Sequence, residues 1–243
     1  MYNSLKKVIR NLIPDKVLYM IEPGLRSFFA LSKKGNQHKC TICHFKNKEW
    51  IILENEDKLC PKCGSLSRDR RLWEIIASEY LPQVHSVLDF SPSRCLYRKW
   101  KNIQNKDYHA SDLSGDFISD HHYNITEIAT SDASFDLILC YHILEHIPDD
   151  VQAMKELFRV LKTNGKILIQ TPFKDGDIYE DKNITSEQDR LIHFGQEDHV
   201  RIYSVEGLKK RLESVGFSIE VKSFDKNDYF GFRKNEIILV ATK

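Results

Sequence analysis

Residues 135–171 read FDLILCYHILEHIPDDVQAMKELFRVLKTNGKILIQT. The run Phe135–His142 is apolar without alternation, as in a central strand covered on both faces. From Asp149 to Leu161 the residues Val151, Met154, Leu157, Phe158 and Leu161 recur at helical spacing, and Asn164-Gly165 ends that pattern as a turn. Lys166–Thr171 is a second strand. Strand, helix and strand in this order form a parallel pair with a crossover helix.

The same alternation extends on both sides. Val84–Phe90 and Tyr108–Ser111 read as strands, with a helix through Trp100 between them. Ser204 is placed to cap a helix to Val215 that Gly216 stops, and Phe217–Phe224 and Glu236–Thr242 are the last strands. Upstream, Leu72, Ile75, Ile76 and Tyr80 make a helix face. Three regions follow: an N-terminal segment and linker (1–37), a cysteine region (38–71) and an α/β domain (72–243).

With 243 residues, 41% hydrophobic and 29% charged, the chain is long enough to bury its own core. A net charge of +1 argues against general binding to phosphate backbones. No apolar run approaches the ~20 residues needed to span a bilayer, and no signal-peptide pattern opens the chain. In residues 1–31, Leu5, Val8, Ile9, Leu12 and Ile13 fall at helical spacing among Lys6, Lys7 and Arg10, with Pro14 and Pro23 breaking the segment. Such a helix suits a membrane surface, a partner or the protein's own body. The expected location is cytoplasmic, with peripheral contact at the inner face of the membrane through this segment. Lys33-Lys34-Gly35-Asn36-Gln37 reads as a linker.

Cys40-x-x-Cys43 and Cys60-x-x-Cys63 stand sixteen residues apart. Two such knuckles offer the four thiolates of a closed, structural Zn²⁺ site, and roughly thirty residues cannot fold on apolar burial alone. A redox dithiol and an iron–sulfur cluster are the competing readings. Cys95 and Cys140, in apolar surroundings, read as inert thiols. Arg68, Arg70 and Arg71 make either a solvated face or an anion site.

Ligands of an open parallel sheet lie beyond the carboxyl ends of its strands. Those ends here are Asp89-Phe90-Ser91-Pro92, Asp112-Leu113, Asn124-Ile125 and Tyr141-His142. Asp112 falls 23 residues after Asp89, the spacing at which a carboxylate meets ribose hydroxyls.

The strings Phe135-Asp136, HILEH (142–146), LFRVLKTNGKILI (157–169) and Gly216-Phe217 resemble class I S-adenosylmethionine-dependent methyltransferases, in particular those related to ubiquinone and menaquinone biosynthesis enzymes. CPKCGSLSRDRRLW (60–73) and FGQEDHVRIY (194–203) are similar to a subgroup that adds a four-cysteine knuckle. The resemblance implies a Rossmann-like, doubly wound, mostly parallel seven-stranded sheet with an antiparallel last strand, preceded by the knuckle. It places the methionine part of the cofactor at Asp89, Phe90, Ser91 and Pro92, the ribose at Asp112 and Leu113, the adenine at Asn124 and Ile125, and the sulfonium at Tyr141 and His142. Ser91-Pro92-Ser93 stands where the family has a glycine loop, and Asn124 where an aspartate is usual.

Transfer to a hydroxyl needs a base, and histidine suits neutral pH. His199 is the expected base, Glu197 or Asp198 its orienting carboxylate, and His142 and His146 the competitors. Arg201 is expected to meet an acidic substrate group, with Tyr203 beside it. Residues 172–203 read either as a disordered acidic loop or as a functional one anchored by Ile192, Phe194, Val200 and Ile202. The expected acceptor is a glycan or other small molecule. Ribosomal RNA held by the knuckle, through a basic face of Lys58, Lys62, Arg68, Arg70 and Arg71, is the second reading. A scaffold that does not catalyse is the third.

Overall fold

The computed structural model describes residues 15–243, so Leu5, Val8, Ile9, Leu12 and Ile13 lie outside the described residues. The chain forms two compact units. One comprises the described residues up to Glu79 with Ser93–Lys99 and Asp225–Lys234; the other comprises Tyr80–Pro92, Trp100–Phe224 and Asn235–Lys243.

The first unit opens with helix α1 (Asp15–Leu31), which runs through Pro23 instead of breaking there. Proline has no N–H for the carbonyl four residues back. That carbonyl, of Tyr19, instead accepts from Arg98 Nη2 at 2.7 Å. Arg98, Arg94 and Arg26 also converge on the Glu22 carboxylate, at 2.9, 3.3 and 2.8 Å. The expected linker 33–37 belongs largely to a strand, β1 (Lys34–Lys39), paired with β2 (Lys46–Asn47). A second ribbon pairs β3 (Ile51–Ile52) with β4 (Lys58–Leu59).

Helix α2 (Ser67–Ile75) places Arg70 in the interior, 0% exposed. Its guanidinium donates to the carbonyls of Ser65 (2.6 Å), Phe230 (2.9 Å), Lys58 (3.0 Å) and Gly231 (3.0 Å) and lies 4.1 Å from the centre of the Trp50 ring. Arg71 donates to the Asp225 carbonyl at 2.6 Å and stacks on Phe232. Neither arginine is a solvated face or an anion site, because segments of this unit consume their donors. Gly231 takes φ +69°, and a Cβ there would stand 2.7 Å from Arg70 Nη2 and from Trp50.

The second unit is built on β5 (Ser86–Phe90), β6 (Asp107–Ser111), β7 (Phe135–Tyr141), β8 (Leu161–Gln170), β11 (Ser218–Phe224) and β12 (Glu236–Thr242), in the order β11-β12-β8-β7-β5-β6. The pairs among β6, β5, β7 and β8 are parallel, and β12 runs antiparallel to both neighbours. Short pieces β9 (Tyr179–Glu180) and β10 (Arg201–Ile202) pair separately. Helices α3 (Arg94–Lys101), α4 (Asp150–Val160), α5 (Glu187–Phe194) and α6 (Val205–Val215) complete the chain.

Six strands pair in this sheet among the described residues, where seven are expected. Beyond β6 only a single bridge, Ser111–His121, continues it. The intervening residues turn back on Asp112, whose Oδ2 collects Ser114 Oγ (2.9 Å), Gly115 N (2.7 Å) and Phe117 N (3.3 Å). An Asx-type turn thus takes the backbone donors a strand would use.

The caps match their residues. Asp149 Oδ1 accepts from Gln152 N at 3.0 Å, Ser204 Oγ accepts from Gly207 N at 3.1 Å, and Gly216 stops α6 in the left-handed region. Asn164-Gly165 does not separate helix from strand. α4 passes directly into β8, and the two residues form an irregularity in its pairing with β7. Leu137–Cys140 on β7 is wholly buried, and Ile138 and Cys140 share one core cluster with Met154, Leu157 and Leu212.

Arg70→Ala is expected to destabilise the first unit by roughly 2–4 kcal/mol, because buried carbonyls lose their donors. A lowered urea midpoint with unchanged slope checks this; an unchanged midpoint rejects the role given to Arg70.

Candidate active site and metal centre

Cys40, Cys43, Cys60 and Cys63 bring their sulfurs within 4.8 Å of one another. Cys40–Cys63 is 3.6 Å and Cys43–Cys60 is 3.7 Å. Sulfurs at the corners of a tetrahedron with Zn–S near 2.3 Å stand about 3.8 Å apart, so the donor set fits Zn²⁺. The two knuckles have one geometry. Cys40 N donates to Phe45 O and His44 N to Cys40 O; Cys60 N donates to Ser65 O and Gly64 N to Cys60 O. The residue closing each turn is left-handed, His44 at φ +59° and Gly64 at φ +76°. Burial pushes the Cys40 thiol up, but hydrogen bonds from Cys43, Cys60 and Cys63 outweigh it and hold the group well below the ordinary thiol value. Burial pushes the Cys140 thiol above its ordinary value, which keeps it inert.

In the second unit the carboxyl ends of β5, β6 and β7 carry the expected cofactor residues. Ser91 adopts φ +49°, so the chain makes the left-handed turn of the missing glycine with a serine. Two bonds hold it there: Ser91 N donates to Ser111 O (2.8 Å), and Ser91 Oγ donates to Asp112 Oδ1 (2.8 Å). Asp112 is buried; its Oδ2 is occupied by the turn, whereas among the described residues Oδ1 accepts only Ser91 and keeps capacity for a hydroxyl. Asp89, also buried, accepts from Tyr108 O–H at 2.9 Å. Asn124 Oδ1 accepts from Thr126 N and Oγ1, which leaves its amide nitrogen outside these bonds. Phe90 and Ile125 are core residues, and Leu113 is exposed.

After β7 the backbone turns again in the left-handed region at His142, φ +56°, with His142 N donating to Gln170 O at 2.8 Å. The next turn carries Glu145 and His146. Val200 N donates to Glu145 O at 2.9 Å, which draws the 196–200 segment onto it. Arg201 straps the same turn, donating to the carbonyls of Leu144 (3.1 Å), Ile147 and Pro148 (2.9 Å), and to Glu180 at 2.8 Å. Tyr203 O–H donates to Asp150 in the interior. Arg201 and Tyr203, expected to touch substrate, are buried and hold the turn in place instead. The segment 172–203 is ordered by this network, while its expected anchor Ile192 is 70% exposed.

His199 is buried. Its Nδ1–H donates to Phe194 O at 3.2 Å, and Gln196 Nε2 donates to its Nε2 at 2.8 Å. Burial, joined by the neighbouring His146, lowers its pKa. Asp198 stands beside His146, with Oδ2 3.1 Å from Nδ1, and is not the partner of His199. Glu197 is exposed. His142 is partly exposed and has Nδ1 3.3 Å from Glu145 Oε1. Burial raises Glu145, yet His142 and the His146 charge outweigh it and keep the carboxyl below its usual value. Glu145 Oε2, Gln170 Oε1 and Thr171 Oγ1 are buried, with no hydrogen-bond partner among the described residues. Orphaned polar atoms at the ends of β7 and β8 are what a ligand site requires. Sequence reasoning missed these three; burial on strand ends is not written in residue type.

A methyltransferase domain family matches residues 66–221. The chain is similar to a demethylmenaquinone methyltransferase of Alkalihalophilus pseudofirmus, 32% identical over 151 residues, covering 58% of each chain. It is also similar to a tRNA U34 carboxymethyltransferase of Nautilia profundicola, 28% identical over 130 residues, 54% of this chain and 39% of the relative. The chain thus spans between about two-fifths and three-fifths of these relatives' lengths. Its fold is that of a SAM-dependent methyltransferase from Archaeoglobus fulgidus, with TM-score 0.51 and 16% identity, over 71% of this chain and 94% of that one.

Hydrogen bonds from Arg211, opposed by burial and joined by Arg201, bring Glu180 from 4.5 to about 2. The stability it contributes is therefore complete above its unfolded value and is lost as pH falls through about 2. Glu180→Gln is expected to lower the urea midpoint at pH 7, with the gap to wild type closing between pH 4.5 and 2. A gap independent of pH rejects this ion pairing.

Proposed function

The chain belongs to the methyltransferase-domain family, and on that premise we propose that it is an S-adenosylmethionine-dependent methyltransferase acting on a hydroxyl of a glycan or other small molecule. The supporting observation is the His142–Glu145 pair at the carboxyl end of β7, an imidazole at a strand end backed by a buried carboxylate. S-adenosylmethionine supplies a methyl group on a sulfonium that carries its own leaving group. The chain has to orient the acceptor, exclude water and take a proton. His142 Nε2 is the base, and Glu145 Oε1 orients the ring and stabilises the imidazolium. His199, the base expected from sequence, has both ring nitrogens engaged inside the protein.

The Ser91 turn and the Asp112 Oδ1 lone pair support cofactor binding at β5 and β6, with Asp112 taking a ribose hydroxyl and Asn124 presenting its amide to the adenine edge. The RNA reading loses support because Arg70 and Arg71 are withdrawn from the basic face it needs and Lys58 pairs with Asp228 at 2.9 Å. Peripheral membrane contact is supported by Met20 and Phe28 of α1, 77% and 80% exposed. Failure of the chain to float with anionic vesicles rejects it. No described helix is long and apolar enough to cross a membrane. A structural Zn²⁺ held by Cys40, Cys43, Cys60 and Cys63 completes the reading.

Label from S-adenosylmethionine is expected in glycan or small-molecule extracts and not in RNA. His142→Asn, which tolerates the left-handed backbone, should lower turnover about 10²- to 10⁴-fold. Asp112→Ala should abolish binding of S-adenosylhomocysteine; binding indifferent to that change, or none in wild type, rejects the enzyme in favour of a scaffold. Label in RNA alone rejects the acceptor class. The purified chain should carry one zinc, which Cys60→Ser loses together with stability; full zinc retention in that variant rejects the metal site.

A further inference from the structure

The turn after β7 holds a second group of potential ligands. One ligand atom each of Glu145, His146 and His199 lies within 4.8 Å of the others. We propose that these residues bind a divalent cation through one carboxylate oxygen and two imidazole nitrogens, and that this cation receives the acceptor hydroxyl.

Glu145 carries the inference. Its side chain is 1% exposed, and neither oxygen has an aligned hydrogen bond among the described residues. Oε1 has His142 Nδ1 at 3.3 Å; Oε2 has no partner. A buried carboxylate that has one imidazole at 3.3 Å and no partner for its second oxygen is costly, so packing alone does not account for it. A cation at Oε2 does, and it leaves Oε1 to His142.

The histidines are prepared in the same sense. A metal-binding imidazole directs its other ring nitrogen to a carbonyl or carboxylate, which fixes the tautomer. His199 Nδ1–H donates to the Phe194 carbonyl at 3.2 Å, and His146 Nδ1 stands 3.1 Å from Asp198 Oδ2. Both arrangements leave Nε2 with its lone pair. The rings meet edge to face, centroids 4.6 Å apart. Gln196 donates to His199 Nε2 at 2.8 Å and, being exposed, swings away when a cation takes that position.

Two imidazoles and one carboxylate with open positions suit Mn²⁺, Fe²⁺, Co²⁺ or Zn²⁺, whereas four thiolates select Zn²⁺. The cation would take an acceptor hydroxyl as a further ligand and lower its pKa. The proton passes to His142 Nε2, the oxygen forms its bond to the methyl carbon, and the carbon–sulfur bond breaks to release the neutral thioether. His199 is then a ligand, and the inference rests on the hydroxyl-methylation reading for its catalytic meaning only.

Mn²⁺ is the probe, because thiolates do not favour it. Titration of the zinc-loaded full chain, followed by loss of the free-ion electron paramagnetic resonance signal and with no methyl acceptor present, should show one saturable site. Glu145→Gln should abolish it. Asp198→Asn, at a side chain 70% exposed and therefore harmless to folding, should weaken it about tenfold or more. No saturable Mn²⁺ binding in wild type, or unchanged affinity in Asp198→Asn, overturns the inference even if Glu145→Gln fails to fold. Methyl transfer to hydroxyls by a chain without a Mn²⁺ site sinks this inference alone; a Mn²⁺ site in a chain that labels no hydroxyl sinks the acceptor reading alone.

Discussion

β7 is buried on both faces along Leu137–Cys140. A strand in that position offers no polar group from its middle, so any chemistry has to come from where it stops. It stops at His142 in a left-handed turn, which hands the chain at once to Glu145 and His146. β5 stops in the same way at Ser91. These two turns, made without glycine, aim side chains over the end of the sheet. Each is held by a backbone N–H to a neighbouring strand's carbonyl, Ser91 to Ser111 and His142 to Gln170. The strain of a non-glycine left-handed residue is typical of functional positions.

What holds the turn after β7 is an arginine used against its usual role. Arg201 donates to the carbonyls of Leu144, Ile147 and Pro148. A lysine would not reach them all, because only the planar guanidinium fork presents several donors at fixed angles. Arg70 has the same role in the first unit, where its donors replace the apolar core that so short a segment lacks. In both places charge is buried to fix backbone geometry. Neither is a ligand site.

The carboxylates divide by partner. Asp150 and Glu180 meet arginines, and Asp112 meets a turn and a serine. Among the described residues Glu145 meets only histidine at a distance, which makes it the group most open to further chemistry. Methyl transfer asks little covalent work of a protein, because the cofactor carries its own leaving group.

Much of this was legible in residue order. The parallel sheet followed from the apolar run at 135–142 and its neighbours, the caps from Asp149, Ser204 and Gly216, and the sulfur cluster from the spacing of Cys40, Cys43, Cys60 and Cys63. Those signals are local: periodicity, cap chemistry and short spacing survive in one dimension. The sequence did not show that Pro23 sits inside a helix, since the rescuing donor, Arg98, is far along the chain. Nor did it separate the arginines and histidines by role. Arg70, Arg201 and His199 carry the same functional groups as exposed ligand-binding residues, and only burial and the partners that folding brings to them determine which way their donors and lone pairs point. The sequence by itself determined the fold class and the chemistry available, and the tertiary structure decided which of those groups remain open to a ligand.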